Sequence, residues 1–121
     1  MTAFLIIAGR FLIGAYFVQA GARNFMKQPM HIGILTRKGV PMPRETLLGA
    51  LALQVLCGLS VALGILPWLG AIGLIAFTVA ANALYHNFTQ FTGDERTSHL
   101  NSVLANAALV GGLLLVMAIS L

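Results

Sequence analysis

The chain has 121 residues, of which 59% are hydrophobic and 8% charged, with a mean hydropathy of +0.92 and a net charge of +4. A soluble domain carries about 25% charged residues, and apolar surface left in water costs roughly 25 cal/mol per Å², so a water-soluble globular protein is excluded. The length allows a single domain, residues 1–121, and the lone cysteine, Cys57, excludes an intrachain disulfide.

A bilayer core about 30 Å thick is crossed by about 20 apolar residues in helical form. The first such run predicts a helix over about 3–22, broken by one charge, Arg10. It lacks a basic leading segment and an Ala-x-Ala-like site before a polar chain, so it is expected to be retained and not cleaved as a signal peptide. The only long connection follows, Arg23 to Arg44, with Pro29, Pro41 and Pro43. Within it Met30, Ile34 and Leu35 have helical spacing and the cations Arg37 and Lys38 close the segment. Two readings stay open, a short helix in the membrane interface or an irregular loop too short to sustain a helix.

No charge occurs between Glu45 and Asp94, which predicts two further helices, about 46–66 and 68–88. The break falls at Leu66-Pro67-Trp68, because proline cannot donate its backbone N–H and disfavours helix in the residue before it. A fourth helix is predicted over about 98–120. In hydrocarbon every backbone polar group must be satisfied internally, so helix is the form these runs take. The expected fold is an all-α membrane protein, an antiparallel bundle of four transmembrane helices with a short interfacial segment between the first two.

Six of the seven cations, Arg23, Lys27, Arg37, Lys38, Arg44 and Arg96, fall in the two connections on one side. The positive-inside rule places loops 23–45 and 89–97 in the cytoplasm and both termini outside, with a bacterial inner membrane as the expected location. The positive charge then serves topology and contact with anionic lipid, not nucleic-acid binding.

Polar residues inside the helices carry the functional signal. Arg10 is the most expensive, at about 2.5–3.5 kcal/mol for an arginine at a helix centre. Gly14, Phe17 and Gly21 share its face and predict a packed surface. The alternative is that Arg10 snorkels to the outer headgroups on its long stem. Gln54 lies in a ladder with Ala50 and Gly58, Asn82 with Thr78 and His86, and Asn106 with Ser98 and Ser102. The three amides fall at similar depth, about 9–12 Å from one end. Interhelical hydrogen bonding, worth roughly 0.6 kcal/mol per bond, is the leading reading. The second is a polar pocket for a small ligand such as a quinone headgroup.

His86 and His99 flank one loop; histidines at helix ends are ordinarily solvated, so haem ligation is disfavoured. The acids Glu45, Asp94 and Glu95 all sit at loop edges, leaving too few ligands for a metal site or for general acid–base work. A self-contained enzyme is not expected. Gly14, Gly58, Ala76, Ala80, Gly111 and Gly112 are small residues suited to close helix packing or to docking on a partner.

These residues resemble the DoxX family of small four-helix membrane proteins over nearly the whole chain. The resemblance rests on Gly9-Arg10-Phe11-Leu12-Ile13-Gly14, on Gln19-Ala20-Gly21-Ala22-Arg23-Asn24-Phe25 and on Leu53-Gln54-Val55-Leu56-Cys57-Gly58. Gly64-Ile65-Leu66, Tyr85-His86-Asn87-Phe88 and Leu104-Ala105-Asn106-Ala107-Ala108-Leu109-Val110-Gly111-Gly112 also fit. It implies either a quinone-reducing membrane subunit of thiosulfate or sulfur-compound oxidation or a membrane companion of other redox proteins. Gln54 stands where the family often has glutamate, and Ala105 where lysine is frequent. Losing a carboxylate and a cation removes groups that couple protons or bind anions. The expectation is therefore an accessory subunit of a larger redox or energy-transducing membrane complex. The alternative is a quinone-reducing subunit with Arg10, Gln54, Asn82, His86 and Asn106 lining its site.

Overall fold

In a computed structural model the described residues, 1–85 and 93–121, are all-helical, with no strand among them. The elements are α1 (Thr2–Met26), α2 (Gln28–Arg37), α3 (Pro43–Leu63), α4 (Pro67–Tyr85) and α5 (Gly93–Ser120). α1, α3 and the Thr97–Ser120 part of α5 are long and apolar enough to cross a membrane, while α4 is apolar over the shorter span Pro67–Ala83. The chain is an integral membrane protein, and its exposed apolar side chains, Phe4, Leu12, Leu56 and Leu115 among them, face lipid.

Helix ends follow local chemistry. Pro43 and Pro67 occupy first-turn positions, where the missing N–H has no intrahelical acceptor to lose. α3 stops at Gly64, whose left-handed backbone (φ 76°) costs glycine nothing. The Ser60 hydroxyl donates to the carbonyls of Ile65 and Leu66 and ties down the tight turn into α4. The long connection after α1 carries α2, so of its two readings the helix is the one formed. Ten residues do not hold a helix alone in water. α2 is held by packing of Leu35 on Leu47 and Leu51 of α3, flanked by Ile32 and Val40.

Small residues set how the long helices meet. A Cβ on Gly14 of α1 would collide with the Gly58 carbonyl oxygen of α3 and lie 2.6 Å from the Ala62 backbone N. A Cβ on Gly70 of α4 would lie 2.9 Å from the Cys57 carbonyl oxygen of α3. Both pairs therefore approach backbone to backbone, each in opposite directions. α5 lies against α4, and its Gly112 faces Ile13 of α1. The main core joins Phe17, Val61, Ala71, Leu74, Leu113 and Val116 from all four long helices. Ala76, Ala80 and Gly111 are exposed, so they lie on the outer surface of the chain.

Candidate functional site

A cavity of about 460 Å³ lies in the half of the protein nearest α2. Its wall is mostly apolar, with Phe17 from α1 and Phe77 from α4, and it admits a few polar groups. Gln54 of α3 and Thr78 of α4 line it at 2% and 3% exposure. Gln54 Oε1 and Thr78 Oγ1 have no hydrogen-bond partner within the protein. A buried polar atom left in that state costs about 1–3 kcal/mol, so two such atoms on one cavity wall point to a polar guest. Gly21 packs beside the amide: a Cβ there would lie 2.7 Å from Val55 Cγ2, too close, and 3.5 Å from Gln54 Oε1, in ordinary contact.

Asn106 of α5 lines the same cavity, and its Nδ2 donates to Asn82 Oδ1 of α4 at 2.7 Å. Asn82 thus joins the site through Asn106. The α2 end of the cavity holds Arg23 and Asn24 of α1, His31 of α2 and Thr46 of α3. Burial, and then the nearby Lys27 charge, hold the His31 pKa below its ordinary value, so its neutral form is favoured.

Of the residues expected at the site, the structure brings Gln54 and Asn106 into one cavity with Asn82 behind them. Arg10 is elsewhere. Its guanidinium lies at the far end of α3, where a Cβ on Gly64 would be 2.7 Å from its Nη2 and 3.0 Å from its Cζ. The cation thus sits at the negative end of the α3 dipole, with its Nε buried and without a hydrogen-bond partner. A second cavity of about 280 Å³ between α1 and α5 reaches Arg10 and is otherwise walled mainly by aliphatic residues such as Leu5, Ile13 and Leu115. His86 lies outside the described residues. The cavity also contains Tyr16, Arg23, His31 and Thr46, which sequence reasoning did not place there. Thr78, which also lines the cavity, was signalled only as a member of the Thr78–Asn82 ladder.

A family model, DoxX, matches residues 5–87. The chain belongs to the DoxX family. The match takes in Arg10, Gln54 and Asn82 and stops short of α5, so within this DoxX-family protein Asn106 is tied to the site by geometry alone. No curated protein and no solved structure matches the chain.

Proposed function

We propose that this DoxX-family protein is an antiparallel bundle of four transmembrane helices in a bacterial inner membrane, with both termini outside, and that its cavity binds a quinone headgroup. On this reading it is the quinone-binding membrane subunit beside a larger redox partner that supplies the electrons. The observation that carries it is the pairing of buried, unpartnered Gln54 and Thr78 on the wall of an otherwise apolar cavity. Ligand sites are mostly apolar hollows of about 300–1,000 Å³ with a few fixed polar groups. Amide and hydroxyl groups hydrogen-bond a neutral ring carbonyl or hydroxyl without requiring charge, and the aromatic walls suit a flat ring. With glutamine at position 54 in place of a carboxylate, proton coupling falls to other groups.

A second reading, a packing subunit without a ligand, is favoured by the exposed small residues Ala76 and Ala80 of α4, which suit close approach of a partner helix. The two separate in one experiment. The protein is purified in mild detergent, its bound proteins are identified by mass spectrometry, and binding of a short-tailed ubiquinone analogue is titrated in nanodiscs. Saturable binding that Gln54→Leu and Thr78→Val each weaken about tenfold supports the quinone site. A partner at fixed ratio with no quinone binding supports the packing subunit.

A further inference from the structure

We propose that the smaller cavity, between α1 and α5, is a lipid site. It takes one acyl chain of an anionic phospholipid from the leaflet at the N-terminal end of α1, with the headgroup phosphate drawn to Arg10. The proposal goes beyond the quinone reading and does not depend on it, since the two cavities share no lining residue.

Charge poses the question. Six of the seven Lys and Arg residues lie around α2 or at the start of α5, where the bias of these residues to one side of a membrane accounts for them. Arg10 is the exception. It follows Thr2 by eight residues, about 12 Å along the α1 axis. The α3 dipole offers it about half of one negative charge. No side-chain carboxylate lies at this end to supply the rest. Glu45 is in the first turn of α3, and Asp94 and Glu95 stand at the start of α5, all at the opposite end of the helices. An arginine held inside a membrane is eased when headgroups and water are drawn in towards it. The missing charge therefore comes from outside the protein.

The cavity supplies the rest of the site. Its volume is about 280 Å³, and every residue that lines it belongs to α1 or α5. Apart from Arg10, Thr2 and Ser120, the side chains on its wall are aliphatic. Thr2 begins α1 and Ser120 ends α5, so the hollow runs inward from that end of the helices, past Arg10, to Ile13 and Gly112. From Thr2 to Ile13 is about 16 Å along the helix. Gly9 keeps the wall low, with nothing within 4 Å of where its Cβ would be.

Shape and charge together select the occupant. A partner helix is about 10 Å across and does not enter a hollow of this volume, whereas a single hydrocarbon chain does. A zwitterionic headgroup brings an ammonium that finds no acidic side chain here. A headgroup with net negative charge brings only the group that Arg10 lacks. Basic pockets between membrane helices hold anionic headgroups in this way.

The test uses the intact protein in phosphatidylcholine nanodiscs doped with either of two photoreactive lipids. Both carry the same diazirine-bearing acyl chain; one is a phosphatidylglycerol and the other a phosphatidylcholine. Cross-links of the phosphatidylglycerol probe to residues 2–13 of α1 or 112–120 of α5, about fivefold stronger there than those of the phosphatidylcholine probe, support the site. Arg10→Gln should abolish that preference, and Arg10→Lys should keep most of it. Gly9→Phe, which puts a ring into the hollow, should weaken labelling by both probes. Equal labelling of these segments by the two probes in the unsubstituted protein overturns the proposal, as does labelling confined to the α2 end. Competition with oleate separates a phospholipid from a free fatty acid. Oleate that displaces the probe as well as unlabelled phosphatidylglycerol does would overturn the phospholipid assignment. The comparison of probes needs no substitution, so it still reads out where Arg10→Gln folds poorly. A failure of quinone binding leaves each of these outcomes unchanged.

Discussion

Arg10 illustrates how one charge is accommodated near the end of a membrane helix. Its sequence context offered a packed face or the headgroups, and side chains alone could not decide, because Glu45 begins α3, at the opposite end from Gly64. The neighbour it finds is backbone, the carboxyl end of α3, and a sequence does not display the carbonyls of a distant helix. A cation at a helix C-terminus is worth about 0.3–1 kcal/mol, and up to about 2 kcal/mol when partly buried. Arg10→Leu should lower stability by that amount and Arg10→Lys should retain most of it, read by thermal unfolding in detergent. Equal stability of the two variants would show that the charge has no role there. Gly14→Ala makes a sharper demand, since its new Cβ meets backbone of α3 that cannot yield. It should destabilise by about 1–3 kcal/mol, whereas Gly9→Ala, with nothing within 4 Å of its Cβ, should be near neutral in the same assay. Helical spacing put Gly14, Phe17 and Gly21 on one face, and all three are buried. Gln54, Asn82 and Asn106 were visible as costly amides in apolar helices. Tyr16, His31 and Thr46 were not, because nothing about their types or spacing is unusual until the helices that bear them are packed together.

At the level of elements, the apolar runs declared the long helices because hydrocarbon allows the backbone no other form. α2 could not be read the same way. Its ten residues have weak intrinsic helicity, and the interaction that decides, Leu35 on Leu47 and Leu51, joins segments separated by the proline-rich bend at 41–43. Leu35→Ala should therefore undock α2 at a cost of about 2–5 kcal/mol. Amide hydrogen exchange should rise over Gln28–Arg37 and stay slow in α3. Undiminished protection of α2 in the variant would refute this account. His31 adds a pH dependence of defined sign. Burial and Lys27 hold its pKa below 6.5 when α2 is docked, so the undocked state binds protons more readily. Docking is complete above that value and weakens as the pH falls through it. Protection of the α2 amides, taken relative to their intrinsic exchange rate at each pH, should then fall between neutral pH and about pH 5, and His31→Gln should flatten the response.

On the scale of the whole molecule, packing is uneven. α1, α3 and α4 meet through close glycine contacts, while α5 rests on α4 and barely reaches α1. The polar end of the cavity lies under α2 and its cations. Which side of the membrane that end faces follows from charge. Arg23, Lys27, Arg37, Lys38 and Arg44 cluster around α2, and the turn at Gly64–Pro67 carries none. Lysine and arginine are retained on the cytoplasmic side, so α2 and the polar end of the cavity should face the cytoplasm. The check is single-cysteine labelling in a Cys57→Ala background, since Cys57 is the only native thiol. Met30→Cys on α2 and Leu121→Cys after α5 both place the new thiol at an exposed position and alter no charge. A membrane-impermeant maleimide should label Leu121→Cys in intact cells and reach Met30→Cys only after the inner membrane is opened. The reverse pattern would turn the protein over in the membrane. The polar end of the cavity would then face the other side, and on the proposed quinone reading the electron donor would have to be sought there.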